Sequence, residues 1–206
     1  MQNFVQAFRR SLAACALLAL AGCVTVPNSL STDDVRSFRY ASTVVTFDPS
    51  AVIWWGDGER AYAATKGLSD EQAADAAKTP EGKAYLHEQV ATRVKAAMDG
   101  RLAGKLNGTH SVRVEVVVKN VTIASVAQRV IIGGTHLMGA AIKLVDVQSG
   151  KVVATHPGLV AGAAAGQGIA GVVVDGMIAD PPLDRVTRNL AEAYEQWLTA
   201  SSPAGA

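Results

Sequence analysis

Cysteine is scarce in this sequence, and its position excludes a disulfide framework. The 206 residues include two cysteines, Cys15 and Cys23, both close to the N terminus. Two cysteines placed there cannot cross-link the rest of the chain, so the fold must be stabilised by burial of apolar side chains. A chain of this length has enough residues for one such core.

An excess of charge of either sign is also missing. The chain has 19 Lys and Arg against 18 Asp and Glu, for a formal net charge of +1. The basic residues do not cluster, which argues against nucleic acid as a partner and against purely electrostatic binding to lipid headgroups. We therefore expect no nucleic-acid partner.

Motifs that carry catalysis or hold a cofactor are absent too. The sequence has no P-loop, no G-x-S-x-G nucleophile motif and no H-E-x-x-H, and its four histidines are dispersed. Gly166, Gly168 and Gly171 spell G-x-G-x-x-G. This match lacks the strand before it and the long helix after it that a dinucleotide site requires. We predict no enzymatic activity, no metal, no cofactor and no nucleotide partner.

The N terminus carries a recognisable export signal. Arg9 and Arg10 precede an apolar run over residues 12–20. That run is shorter than the roughly 20 residues needed to span a bilayer. Leu20-Ala21-Gly22-Cys23 follows it and resembles the lipobox of bacterial lipoproteins, in which the cysteine bears the lipid. The alternative is an ordinary secretory signal with a chance cysteine.

The lipobox resemblance implies a location for the chain. Residues 1–22 would be the signal peptide, Cys23 the lipid-bearing residue and 23–34 a polar, lipidated tether. In the lipoproteins that this segment resembles, Asp after the cysteine often retains the protein at the inner membrane, and here Val24 stands in its place. The expected location is therefore the bacterial outer membrane, with the protein anchored in the membrane through Cys23 and facing the periplasm.

Hydrophobic periodicity predicts one α+β domain over residues 35–200, followed by a disordered tail over 201–206. Valines 112, 114, 116 and 118 alternate with polar residues, which is typical of a strand with one buried face. Further strands are predicted at 36–47, 127–132, 139–147 and 151–155, and amphipathic helices at 81–106 and after Asp180-Pro181. The predicted order is β-α-β-β-β-α, an antiparallel sheet of about four strands with two helices packed on one face.

The glycine-rich segment 157–176 has two interpretations. Gly158, Gly162 and Gly166 recur every fourth residue. On a helix they would form a smooth face for self-association or for contact with a membrane or an envelope protein partner. Glycine is a poor helix former, however, so a mobile or surface-packed connection is the alternative.

Two motifs suggest a family. Residues 53–60 include W-x-G-D followed by an arginine, and residues 130–136 end in G-G-x-H before a D-x-x-S-G turn. Together they resemble a family of uncharacterised bacterial envelope proteins, a domain of unknown function. Because that family has no assigned activity, the resemblance implies no catalytic residues. The residues of these motifs that form a candidate binding loop are Trp54, Trp55, Asp57, Arg60 and His136.

Three functional hypotheses follow. The first is a non-catalytic envelope lipoprotein with a structural, assembly or protein-interaction role, in which the tryptophan loop is scaffold. The second is a small-molecule or glycan-binding module that uses Trp54 and Trp55. The third and weakest is a hydrolase built on Asp57 and His136, for which the sequence offers no nucleophile.

Overall fold

The computed structural model describes residues 26–124, 135–164 and 180–200. Within these ranges the chain forms five α-helices and four strands. They are α1 (Thr32–Ser37), β1 (Phe38–Trp55), α2 (Gly56–Thr65), α3 (Ala73–Ala77), α4 (Pro80–Leu102), β2 (His110–Ile123), β3 (Thr135–Asp146), β4 (Val152–Ala164) and α5 (Pro182–Thr199). A short 3-10 turn, Asp70–Gln72, precedes α3. The prediction of an α+β fold is confirmed.

The four strands form one mixed sheet in the order β1-β2-β3-β4. The pairs β2-β3 and β3-β4 are antiparallel, as predicted, but β1 and β2 are parallel. The prediction of an entirely antiparallel sheet is therefore wrong. The cause is the long connection through α2, α3 and α4. The 23 residues of α4 span roughly 34 Å and return the chain to the end of the sheet where β1 began.

The core lies between one face of the sheet and the two long helices. Valines 112, 114, 116 and 118 of β2 are fully buried. Val90, Val94, Met98 and Leu102 of α4 and Val186, Leu190, Tyr194 and Leu198 of α5 cover them. These are the stripes that the periodicity predicts. The Thr79 hydroxyl caps α4 by accepting a hydrogen bond from the Gly82 N–H at 3.1 Å.

Ion pairs hold α4 and α5 side by side. Arg93 Nε lies 3.1 Å from Asp184 Oδ1, and Arg101 pairs with Glu195 near the other ends of the two helices. The helices therefore run parallel, and both end near the start of β2. The two predicted helices correspond to this pair, but the described chain has three more, so the predicted number is wrong. The additional helices α1, α2 and α3 are short and have no long apolar stripe that the sequence pattern could reveal.

The glycine-rich segment is a strand in its described part. Gly158 and Gly162 belong to β4, where Gly162 pairs with Leu137 of β3. Both interpretations, the helix and the mobile or surface-packed connection, are therefore wrong for these residues. Pairing with β3 satisfies the backbone of Gly162, whereas a glycine-rich helix would hold such hydrogen bonds only weakly. Pro157 is tolerated because β4 lies at the edge of the sheet.

The segment before α1 is docked on the domain. Asn28 Nδ2 donates to the carbonyl oxygens of Trp197 and Leu198, at 2.9 and 2.8 Å, and so caps the C-terminal end of α5. Trp197 Nε1 donates to the Val26 carbonyl oxygen at 2.9 Å. Leu30 is buried in the core. The described part of the predicted tether, from Val26 onward, is thus in contact with the domain.

Several predictions fall on residues outside the described ranges. They concern the signal peptide and Cys23, the strand at 127–132, the G-x-G-x-x-G glycines including Gly166, and the tail 201–206. In the part of the chain that the structure describes, none of the helices combines the length and apolarity that crossing a bilayer requires.

Two glycines of α4 provide a test of the packing. A Cβ atom on Gly82 would lie 2.4 Å from the Ala76 carbonyl oxygen, whereas one on Gly100 would meet no atom within 4 Å. We expect Gly82→Ala to lower the free energy of unfolding by about 1–3 kcal/mol, because backbone atoms must move. Gly100→Ala should raise it by about 0.5–1 kcal/mol, because alanine is the better helix former. Urea denaturation measures both, and equal effects would contradict the packing of α3 against α4.

Candidate functional site

The two adjacent tryptophans at the end of β1 point to opposite faces of the sheet. Trp55 packs against the core, with the Arg93 guanidinium 5.4 Å from its ring centre. A Cβ atom on Gly58 would lie 2.3 Å from the Trp55 indole, so glycine is required beneath that ring. Trp54 is 64% exposed. Trp55 is therefore structural, and Trp54 is available for binding.

Asp57, Arg60 and His136 have separate partners. Asp57 and Arg60 lie one turn apart in α2 and form an ion pair with each other. His136 is fully buried in β3, where its Nδ1 accepts a hydrogen bond from the Ala124 N–H at 3.2 Å. The predicted binding loop is thus divided between a strand end, the first turns of a helix and the core.

A cleft of about 670 Å³ opens beside Trp54. We call it the Trp54 cleft. Its walls come from β1 around the register shift between Phe47 and Val52, and from α2, α3 and α4. The side chains that characterise it are Phe47, Ile53, Trp54, Lys78, Lys83 and His87. An open cleft with apolar and aromatic walls and a few charged groups is the usual form of a small-molecule site.

A stacked ring pair forms one wall of the Trp54 cleft. The rings of Phe47 and His87 lie 3.9 Å apart and nearly parallel, at 8°. Burial, together with the positive charge of Lys83, lowers the pKa of His87. The imidazole is therefore held toward its neutral form, in which one ring nitrogen can donate a hydrogen bond and the other can accept one.

Local contacts orient the charged groups at the rim of the cleft. Lys78 pairs with Asp75 at 2.7 Å. Asp48 Oδ1 accepts hydrogen bonds from the hydroxyl of Ser50 at 2.5 Å and from its N–H at 2.9 Å, and these bonds lower the pKa of Asp48. Glu59 also lines the cleft. The rim therefore presents both cations and carboxylates to a ligand.

A second polar cluster lies at the β3-β4 hairpin, at the other end of the sheet. Asp146 pairs with His110, and it also accepts hydrogen bonds from the N–H and hydroxyl of Ser149, the latter at 2.5 Å. Gly150 completes the turn with a φ of +70°. The D-x-x-S-G pattern signals this turn in the sequence, but nothing in the sequence points to His110, 36 residues away.

The geometry of this cluster differs from that of a hydrolytic triad. In a triad the serine hydroxyl bonds the imidazole, and the carboxylate bonds the far side of that ring. Here the Asp146 carboxylate lies between the serine and the histidine. The cluster therefore stabilises a turn and does not activate a nucleophile. Among residues 26–124, 135–164 and 180–200, no three histidine, cysteine or carboxylate side chains are grouped as a metal site would need.

Comparisons with known proteins leave the chain without an assigned family. No protein-family model matches it, and no curated protein matches it. A protein of the DUF330 family from Xanthomonas campestris aligns over 84% of this chain and 93% of its own, with 12% identity and a TM-score of 0.37. Lipoprotein GNA1162 from Neisseria meningitidis aligns over 68% and 94%, with 12% identity and a TM-score of 0.25.

A third similar structure is the PelC dodecamer from Paraburkholderia phytofirmans. It aligns over 86% of this chain and 96% of its own, with 10% identity and a TM-score of 0.36. Similarity at this level establishes neither the family nor the function of this chain, and the W-x-G-D and G-G-x-H pattern stays a prediction.

The hairpin cluster gives a pH-dependent prediction. Hydrogen bonds from Ser149 and the contact with His110 lower the pKa of Asp146 from 3.8 to about 2. A depressed carboxyl pKa contributes stability above the unfolded-state value, and this contribution is lost as the pH falls through the folded-state value. We expect the Tm of the wild type to drop more steeply than that of Asp146→Asn between about pH 4 and pH 2.

Thermal unfolding followed by circular dichroism across this range measures the difference. Asp33→Asn is the matched control, because the Asp33 side chain is 93% exposed. Parallel curves for the wild type and Asp146→Asn would contradict a stabilising role for this carboxylate.

Proposed function

We propose that this chain is a lipid-anchored protein of the bacterial outer membrane whose folded domain faces the periplasm and has a structural, assembly or protein-interaction role. The observation that carries the proposal is the position of Cys23. It closes an export signal and stands three residues before Val26, whose carbonyl oxygen accepts a hydrogen bond from Trp197. The docked domain thus begins almost directly after the residue that would bear the lipid.

The exposed face of the sheet supports an interaction role. Opposite the core, the strands carry Val44, Trp54, Leu137 and Val160, with exposed fractions of 46, 64, 38 and 63%. Trp54 and Leu137 lie in one cross-strand row, on either side of Thr122. Exposed apolar surface on one face is typical of sites that bind another molecule. The interaction surface proposed for an envelope partner is this sheet face, and it does not involve a glycine-lined helix.

The partners of the charged groups support a role without catalysis. Asp57 pairs with Arg60, His136 accepts from a backbone N–H, and Asp146 is bound by both His110 and Ser149. In these arrangements the carboxylates and histidines stabilise local structure. None of them positions a base against a nucleophile, which hydrolysis would require.

Replacement of Cys23 tests the anchor. We expect the wild type to incorporate radiolabelled palmitate and to fractionate with the outer membrane. A Cys23→Ala form, secreted behind a general export signal, should carry no label and appear in the soluble periplasmic fraction, because each buried CH₂ of the lipid contributes about 0.8 kcal/mol to anchoring. Cys15→Ala is the matched control, since that cysteine would leave with the signal peptide. An unmodified Cys23 sulfur in mass spectra of the wild type would refute lipidation, and recovery in the inner membrane would refute the sorting.

A second candidate function is the binding of a small molecule or glycan in the Trp54 cleft. The specific observation is the exposure of Trp54, 64%, among the residues that line a cleft together with the Phe47–His87 ring pair. Aromatic faces pack against the C–H faces of sugar rings, and the lysines and carboxylates of the rim can bond hydroxyl groups.

Separate replacement of the two tryptophans tests this candidate. With peptidoglycan fragments and neutral oligosaccharides as probes, we expect Trp54→Ala to raise the Kd by at least about tenfold. Because Trp54 is exposed, the free energy of unfolding of the Trp54→Ala variant should stay within about 0.5 kcal/mol of the wild-type value. Trp55→Ala should instead lower the free energy of unfolding by about 2 kcal/mol, because its ring packs on the core.

Calorimetric titration and urea denaturation make these measurements. Val160→Ala removes an exposed apolar side chain outside the cleft and should change neither quantity. If no probe binds the wild type, or if Trp54→Ala binds as the wild type does, the binding candidate fails.

A further inference from the structure

We infer that one end of this domain, the end that carries the β3-β4 hairpin, lies against the lipid leaflet that holds the anchor. The inference rests on the proposed lipidation of Cys23 and goes beyond it by identifying the surface of the domain that faces the lipid. The contact surface consists of Arg39, Val147, Lys151 and Val152, and we call it the hairpin patch.

The chain between the lipid-bearing residue and the docked part of the domain is short. Two residues separate Cys23 from Val26, and the three Cα-to-Cα steps between them reach at most about 11 Å. Val26 is held by Trp197, whose indole donates to its carbonyl oxygen at 2.9 Å. Asn28 bonds the last carbonyl groups of α5. The acyl chains must therefore enter the leaflet close to the C-terminal end of α5.

The contacts of Trp197 relate that point to the hairpin. Its ring lies 5.1 Å from the ring of His156, edge to face. His156 is four residues along β4 from Val152, a distance of about 13 Å at the usual strand rise. The contact thus joins the C-terminal end of α5 to the first half of β4. The anchor and the hairpin therefore lie at the same end of the domain.

The hairpin patch has the chemistry that a lipid interface favours. Val147 and Val152 are 43 and 52% exposed. Val147 lies beside Ser111, because its N–H donates to the Ser111 carbonyl oxygen at 3.0 Å. Arg39 Nη2 donates to the Ser111 hydroxyl at 2.7 Å, so the guanidinium lies next to the exposed valine. Apolar side chains flanked by cations suit the boundary between acyl chains and anionic headgroups.

The nearby carboxylate does not repel the headgroups strongly. Asp146 is buried, and its carboxylate oxygens contact His110 and Ser149 inside the turn. Lys151 and Arg39 remain exposed around it. The chain as a whole is nearly neutral, so the patch orients a domain that the lipid already anchors and does not provide the anchor.

Site-specific fluorescence quenching tests the orientation. The lipidated protein offers no other free thiol once Cys15 is removed and Cys23 is blocked, so a single introduced cysteine can be labelled. We compare Val152→Cys with Thr135→Cys, since Thr135 is exposed and begins β3 at the opposite end of the sheet from Asp146. Along β3 those ends are separated by about 37 Å. The labelled proteins are reconstituted in phosphatidylethanolamine and phosphatidylglycerol vesicles that contain a nitroxide headgroup quencher.

We expect the label at Val152 to be quenched severalfold more strongly than the label at Thr135. A flexible insertion after Val24 should largely remove this difference, because the short connection brings the hairpin to the leaflet. Equal quenching at the two sites in protein that floats with the vesicles would overturn the inference and leave the anchor intact. Protein that fails to float with the vesicles would instead refute the anchor itself, so the two failures are distinguishable.

Discussion

Burial of one face of β2 beneath α4 and α5 is the constraint on which the rest of the structure depends. β2 is paired on both sides, in parallel with β1 and antiparallel with β3. Its four alternating valines are completely buried, and burial of each contributes roughly 1.5–3 kcal/mol. Because the mature chain would have no disulfide, this layer of helix and sheet contacts is the main source of its stability.

The parallel pairing of β1 and β2 gives the domain two different ends. The helices that connect these strands lie against the core, and their first turns form the Trp54 cleft where β1 ends. The segment that follows Cys23 is docked where β1 begins, through Asn28 and the end of α5. An anchored domain with this geometry would hold its cleft away from the leaflet and toward the periplasm, which makes the proposals for anchor and ligand compatible.

Most polar groups of the candidate sites serve local structure. Asp57 is paired within α2, Asp48 closes a turn with Ser50, and Asp146 holds the hairpin. The exposed apolar groups are different, because the side chains of Trp54 and Val160 are mostly exposed. The surfaces proposed here for binding therefore consist mainly of exposed apolar side chains, whereas these three carboxylates stabilise local structure.

The sequence by itself determined the valine alternation of β2, the apolar stripes of α4 and α5 and the hairpin turn at Gly150. These depend on neighbours within a few residues, so their patterns are legible locally. Only the tertiary structure decided the parallel direction of β1, the strand conformation of Gly158 and Gly162, the burial of His136, and the division between structural Trp55 and exposed Trp54. Each of these depends on which distant segment lies alongside, as Leu137 does for Gly162 and Ala124 for His136. Such contacts arise from packing across the sheet and leave no periodic signal in the chain.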